Sequence, residues 1–247
     1  MTDATPTSTS TATVPPPADP PKRRTQAERR AASQRRLLDA ATRLIAERGT
    51  ATVGFGEIAK AAGVSHGLPS YLFGTKVGLL VAMVDDFAER IEHEVMRPAI
   101  GDARGPRAMG IALRFMLETL RDPWPGARAL NIVLGEVLRD EPELRAAVSR
   151  YHDRMRGILA GWVREGIEDG DIQADVRPEE QAALWMAVVR GLSYQAVAGP
   201  EAMPIDTLAD ELFVSIRRIF GVPDDVVIDP VADGRPWTDP RKATGEG

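Results

Sequence analysis

Apolar residues return in this chain at intervals of three and four, segment after segment, and glycine or proline closes each segment. That spacing draws one apolar stripe along a helix, whereas a strand would need alternation at every second residue. From Gln34 to Arg48 the stripe is Leu37, Leu38, Ala41, Leu44 and Ile45, and Gly49 ends it. A second helix is expected from Gly54, with Glu57 able to reach back to the cap, burying Phe55, Ile58, Ala59 and Ala62 before Gly63. Gly63-Val64-Ser65 reads as a tight turn in which glycine takes positive φ, valine plugs the gap between helices and serine caps a short helix over Ser65 to Leu72.

Longer helices follow. One is expected from Thr75, as cap, to about Met96, with Leu79, Leu80, Met83, Val84, Phe87 and Ile91 on one side and Pro98 as its stop. After a loop from Gly101 to Pro106, another carries Leu113, Phe115, Met116, Leu117 and Leu120; DPWPG breaks it, and Ala127 to Arg139 forms the next. Asp140-Glu141-Pro142-Glu143 opens a long helix whose stripe runs Leu144, Val148, Tyr151, Met155, Ile158, Leu159 and Trp162, fading at Gly170-Asp171. Pro178 starts a helix through Leu184, Val188, Leu192 and Ala196, and a last one runs from Pro204 to Phe220. With no useful period-2 segment and no repeat, the fold class is all-α.

Charge is divided unevenly along these helices. Residues 1–76 hold 11 Lys/Arg against 6 Asp/Glu, and the remainder 20 against 30, so a net +5 module precedes a net −10 body. Such a chain favours a polyanion at one end only. The first 33 and last 26 residues are rich in Pro, Ser, Thr, Gly and charge, which leaves a folded body of about 190 residues. With 43% hydrophobic residues this body can bury a core, and the absence of cysteine removes disulfides, thiolate metal sites and cysteine nucleophiles. Neither a signal-peptide run nor a membrane span is visible, and the expectation is a cytoplasmic protein without membrane attachment.

The segment IAKAAGVSHGLPSYLFGTKVGLL, residues 58–80, resembles the DNA-binding segment of the tetracycline-repressor (TetR) family of bacterial regulators. Ile58-Ala59, Ala62-Gly63-Val64-Ser65, Gly67, Tyr71, Phe73, Lys76 and Leu79 stand in that family's pattern, Leu37 to Gly49 matches its first helix, and GDIQADVRPEEQAALWMAVVRGL resembles the entry to its penultimate one. The resemblance implies an N-terminal three-helix helix-turn-helix domain over 34–80, a helical ligand-binding and dimerisation domain over 81–221, a disordered basic arm over 1–33 and a disordered tail over 222–247.

In such a unit the second helix enters the major groove. Ser65, His66, Gly67, Leu68, Ser70 and Tyr71 then line or surround its exposed face, with hydroxyls for phosphate or base edges and Leu68 for a thymine methyl. Lys76, at a helix N-terminus, can neutralise a phosphate, while Val64 and Phe73 belong to the core. His66 reads equally as a contact or as a solvated turn residue. Arg23, Arg24, Arg29 and Arg30 read as an arm on the DNA or as an unrelated tail. Ser70 and Leu72 replace a common aromatic and histidine, Pro69 falls within the recognition helix, and Gly54 replaces a hydroxyl cap, so an unusual base readout is expected.

The resemblance further implies a homodimer through the last two helices on a palindromic double-stranded operator, and an unidentified small-molecule effector, hydrophobic and compatible with aromatic groups. Phe115, Met116, Trp124, Met155, Trp162, Trp185, Met186 and Tyr194 are the candidate cavity wall, though bulky residues at helical spacing also read as core. An enzyme is not expected: His66, His93 and His152 are scattered, no nucleophile, metal or phosphate motif occurs, and Asp85-Asp86 reads as a solvated face. No cofactor or metal is expected either. The alternative is an all-α ligand-binding or scaffold protein that does not bind DNA.

Overall fold

The first helix opens at Gln26, well before the apolar stripe begins. The structure, a computed structural model describing residues 25–122, 124–139, 141–198 and 204–231, makes Thr25 its cap. The Thr25 hydroxyl accepts from the Glu28 N–H at 3.2 Å and the Glu28 carboxylate from the Thr25 N–H at 2.7 Å, a reciprocal box. Residues 26–33 are therefore helical, which corrects the disordered arm over that stretch; Arg23 and Arg24 lie outside the described residues. Side chains of this first stretch are mostly exposed, so no apolar period marks the start.

α1 (Gln26–Arg48) is followed by α2 (Phe55–Ala62) and α3 (Leu68–Phe73). Gly63, at φ 63°, ends α2 in the left-handed conformation that a residue with a side chain rarely adopts. Ser65 does not cap α3. Its carbonyl accepts the Leu68 N–H at 3.1 Å within the turn, Gly67 takes the cap position, and Pro69, lacking an N–H, lies buried in the first turn.

The Thr75 hydroxyl caps α4 (Lys76–Arg90), accepting from the Gly78 N–H at 3.0 Å. The rod continues through a π-helical segment, Ile91–Met96, into α5 (Arg97–Ile100), so Pro98 does not stop it. The Arg97 N–H bonds the Glu92 carbonyl, the wider i→i−5 pairing, and Pro98 consequently falls in the first turn of a new α segment. Gly101, at φ 55°, ends the run. Then come α6 (Gly105–Arg121), α7 (Pro125–Gly135) with a 3-10 turn Glu136–Leu138, α8 (Pro142–Asp169), α9 (Pro178–Ala198) and α10 (Ile205–Phe220). Among the described residues every regular element is helical.

Two cores hold these helices. The first joins Leu37, Ile45 and Ile58 of the N-terminal helices to Leu79 and Val84 of α4, Leu130 and Val133 of α7, and Leu144 and Val148 of α8. The expected boundary at residue 80 therefore cuts through a shared interior. The second core joins α6, α8, α9 and α10 through Leu113, Leu117, Val163, Trp185, Ile216 and Phe220, and it includes Val222 and Ile228.

Residues 222–231 are thus a strap, which corrects the disordered tail over that stretch; Trp237 lies outside the described residues. Arg114 of α6 bonds Asp229 at 2.6 Å, and Arg217 donates to the carbonyls of Val222 and Val226 at 3.3 and 2.8 Å. A Cβ at Gly110 would lie 1.8 Å from the Ile228 carbonyl oxygen. Gly110→Ala should therefore displace the strap, costing about 1–3 kcal/mol. Thermal melting checks this, and an unchanged transition would show that the strap is not fastened there.

Candidate nucleic-acid interface and effector cavity

The turn before α3 and the outer side of that helix present Ser65, His66, Gly67, Ser70 and Tyr71 to solvent, with Tyr71 72% exposed, and Lys76 is exposed at the start of α4. Leu68 differs: it is partly buried and packs on the first core. The His66 ring covers the start of α2, where a Cβ on Gly56 would meet its Cε1 at 3.4 Å. Val64 and Phe73 also pack on the first core. Arg30, placed on α1 by the Thr25 cap, stacks its guanidinium 5.5 Å from the Tyr71 ring centre. The T-x-x-E signal at Thr25 to Glu28 could have assigned it to α1, and the position beside Tyr71 needed the tertiary fold.

The frame behind these residues is tied by charge. Arg48 at the end of α1 bonds Glu57 of α2 at 2.9 Å. That hydrogen bond first, then the one from the Gly54 N–H, lowers the Glu57 carboxyl below the usual range. The exposed hydroxyls, imidazole and cation of the turn, α3 and the start of α4 are groups that can meet a DNA backbone and groove.

A cavity of about 480 Å³ lies among the π-helical segment, α6, α8 and α9. Phe115, Met116, Met155, Trp162, Trp185 and Met186 line it together. Trp124 does not; it lines two other cavities, of about 360 and 130 Å³. Tyr194 is 75% exposed on α9 and corrects the candidate wall. Leu184, Val188 and Val197 are exposed on the same helix, and Val214 and Ile219 on α10. The apolar spacing of α9 could not separate these faces, since both are apolar. Sequence reasoning also missed Ile91, Tyr151 and Val189 as cavity wall.

The rod of α4 and its π-helical extension touches both regions. Ile91, Glu92 and Met96 line the cavity, whereas Glu94 bonds Arg35 of α1 at 3.1 Å and Arg90 bonds Asp39 of α1 at 3.1 Å. Asp86 approaches Arg90 at 3.7 Å, so it belongs to a clasp and not to a solvated face. Burial raises its carboxyl above the usual range, against the opposing pull of Arg90 and Arg35. Among the described residues no helix is long and apolar enough to cross a membrane.

Comparison with known proteins agrees with this arrangement. Residues 37–83 match the bacterial regulatory proteins of the tetR family, and residues 129–220 match the C-terminal domain of BetI-type transcriptional repressors. The chain is 31% identical over 153 residues, 59% of its length and 75% of the relative's, to the fatty acid metabolism regulator protein of Bacillus subtilis (strain 168). It is 28% identical over 187 residues, 72% of its length and 85% of the relative's, to the HTH-type transcriptional regulator TtgR of Pseudomonas putida. The fold is shared with the crystal structure of a TetR-family regulator from Rhodococcus sp., at a TM-score of 0.66 and 22% identity, covering 77% of this chain and 99% of that one. The helix-turn-helix frame, the all-helical body and these relatives lead to one conclusion: the chain belongs to the TetR family and is a DNA-binding transcriptional regulator.

Proposed function

We propose that the protein is a dimeric repressor of a palindromic operator, released when an apolar small molecule fills the cavity beside the π-helical segment. The observation that carries this reading is the single helical rod that lines the cavity at Ile91, Glu92 and Met96 and clasps α1 at Arg90 and Glu94. An effector that favours a displaced rod also favours displaced recognition helices, and DNA affinity then falls by the same coupling factor.

Ser65, His66, Gly67, Ser70, Tyr71 and Lys76 supply the DNA-facing groups, with Arg30 supporting Tyr71 and Leu68 holding α3 in place. One six-residue helix reads few bases. Two related by a twofold axis read half-sites about one turn, or roughly 34 Å, apart. The exposed apolar residues of α9 and α10 are the pairing surface, since an apolar face left open to water is best covered by its own copy. In domain terms, residues up to about 80 read DNA and those from 81 to 221 bind effector and partner, around one shared core.

Fluorescence anisotropy of the full chain on duplex DNA from upstream of its own gene, against scrambled duplex, tests this across a salt series. Selective binding that weakens steeply with salt is expected, because phosphate contacts release counterions. Lys76→Ala should weaken binding to all sequences alike and reduce the salt slope by about 1. Absence of binding to a random duplex library would overturn the reading in favour of a ligand-binding scaffold.

A further inference from the structure

Arg190 of α9 is a largely buried cation with no acid beside it. Its guanidinium donates to the Asn131 side-chain oxygen at 2.5 Å and pairs with the Tyr151 hydroxyl, and among the described residues no carboxylate compensates it. The surroundings are donor-rich. Arg190 lines a cavity of about 130 Å³ with Thr119, Trp124, Arg128, Asn131 and Tyr151. The Thr119 hydroxyl and the Trp124 indole N–H are buried there without a hydrogen-bond partner. Next to this group, His152 is held below its ordinary pKa, by burial first and then by Arg190 and Arg156, and its Nε2 also has no partner.

Buried donors and cations are ordinarily satisfied, because stranding them costs free energy. An anion entering the smaller cavity compensates the Arg190 charge, which its bonds to the neutral Asn131 and Tyr151 leave unbalanced, on a wall that also holds Trp124 and Thr119. The space is several times the roughly 30 Å³ of one water molecule. It also abuts the 480 Å³ cavity, with which it shares Ile91, Phe115, Met116, Tyr151 and Val189. A planar carboxylate suits a guanidinium fork, and the shared apolar wall suits a hydrocarbon or aromatic body continuing from it. The larger cavity has carboxylates of its own: Glu92 is held by Arg154 and Arg97, and Glu165 accepts from the Gly105 N–H. Arg97 and Arg154 are thus engaged by Glu92, and Arg190 is the largely buried cation of the two cavities that no carboxylate pairs with among the described residues.

We propose that the effector is an apolar monocarboxylate, its head group on Arg190 in the smaller cavity and its body in the larger one. This rests on the effector reading above and names the chemical class of that effector.

Tryptophan fluorescence of the full-length protein tests it, because Trp124, Trp162 and Trp185 line the two cavities. The probes are octanoate, decanoate, dodecanoate and 4-phenylbutyrate, each against the alcohol and the amine of the same skeleton. In the wild type the acids should bind about ten-fold or more tighter than the alcohols, as for a charge-assisted bidentate pair. Arg190→Gln should bring the acids to the alcohols' affinity and leave the alcohols within about two-fold, since only the head-group interaction is lost. The ligand-free variant should melt no lower than the wild type, because an uncompensated buried charge has been removed. If Arg190→Gln is poorly folded, Arg190→Lys keeps the charge, loses the fork and should give an intermediate preference for acids.

Equal binding of acid and alcohol by the wild type, undiminished acid binding by a folded Arg190 variant, or no binding of any probe overturns the proposal. Anisotropy on operator DNA separates the two readings. Acid binding that depends on Arg190 but leaves DNA bound supports the site and overturns its role as an effector site; DNA release by alcohols alone supports effector control and overturns the carboxylate.

Discussion

Leu37→Ala should lower the melting transition by more than any surface truncation in the chain and reduce operator binding with it. Leu37 is 0% exposed and sits where α1 meets the rest of the first core. Removing its isobutyl group loses the burial of those atoms and leaves a cavity that the surrounding helices only partly close, at about 2–5 kcal/mol. For a body of this size that corresponds to roughly 5–15 °C. Leu138→Ala is the internal control: Leu138 is 91% exposed, and its truncation should change stability by no more than about 0.5 kcal/mol. Thermal melts of both variants, paired with anisotropy on operator DNA, measure the contrast. A Leu37 variant that melted like the Leu138 variant would show that α1 is not anchored through the shared interior.

Arg90→Met should produce the next largest effect, and one that depends on pH. Arg90 bonds Asp39 of α1 at 3.1 Å and approaches Asp86 at 3.7 Å and Glu94 at 3.5 Å. Removing the cation takes the ion-pair partner from Asp86 and leaves Asp39 and Glu94 to Arg35 alone. The cost is about 2–4 kcal/mol, below that of stranding a fully buried acid because Asp39 is itself 36% exposed and solvent shares its load.

The direction with pH follows from Asp86. Burial raises its pKa in the folded protein, so the native state holds that proton more tightly than the unfolded chain does. The charged form costs stability at neutral pH, and the cost is relieved as pH falls through the raised value. Without Arg90 that cost grows. The deficit of Arg90→Met relative to wild type should therefore be greatest at neutral pH and shrink on acidification, as protonation of Asp86 substitutes for the lost cation. Chemical denaturation at several pH values measures it, and a deficit that widened on acidification would contradict the clasp.

The periodic apolar stripes made the helical order of the fold legible, and the short run from Ile58 to Leu80 made the DNA-reading frame legible as well. What escaped was whatever depends on a partner far along the chain or on a helix without a stripe. The start of α1 is mostly exposed and shows only in its capping box. Pro98 reads as a stop because the π-helical widening before it has no spacing signature of its own. Residues 222–231 look like tail until Ile228 is seen against Gly110 and Asp229 against Arg114. Trp124, Tyr194 and the cavity wall share one chemistry, and only the packing of the helices decides which of them faces the larger cavity. Arg190 was illegible as a special residue, since an arginine on an amphipathic helix reads as solvated until its lack of an acid becomes visible.

A recognition unit without an interior of its own is difficult to exchange. Transplanting residues 26–75 onto the body of another regulator would seat α1, with Leu37 and Ile45, against an α7 surface that was not shaped for it. New operator preferences in this chain are then more accessible through the exposed positions of the turn and α3 than through a swap of the whole head. The same interior makes α7 and α8 doubly constrained: each residue there that supports the head must also serve the body, and drift in one is felt in the other.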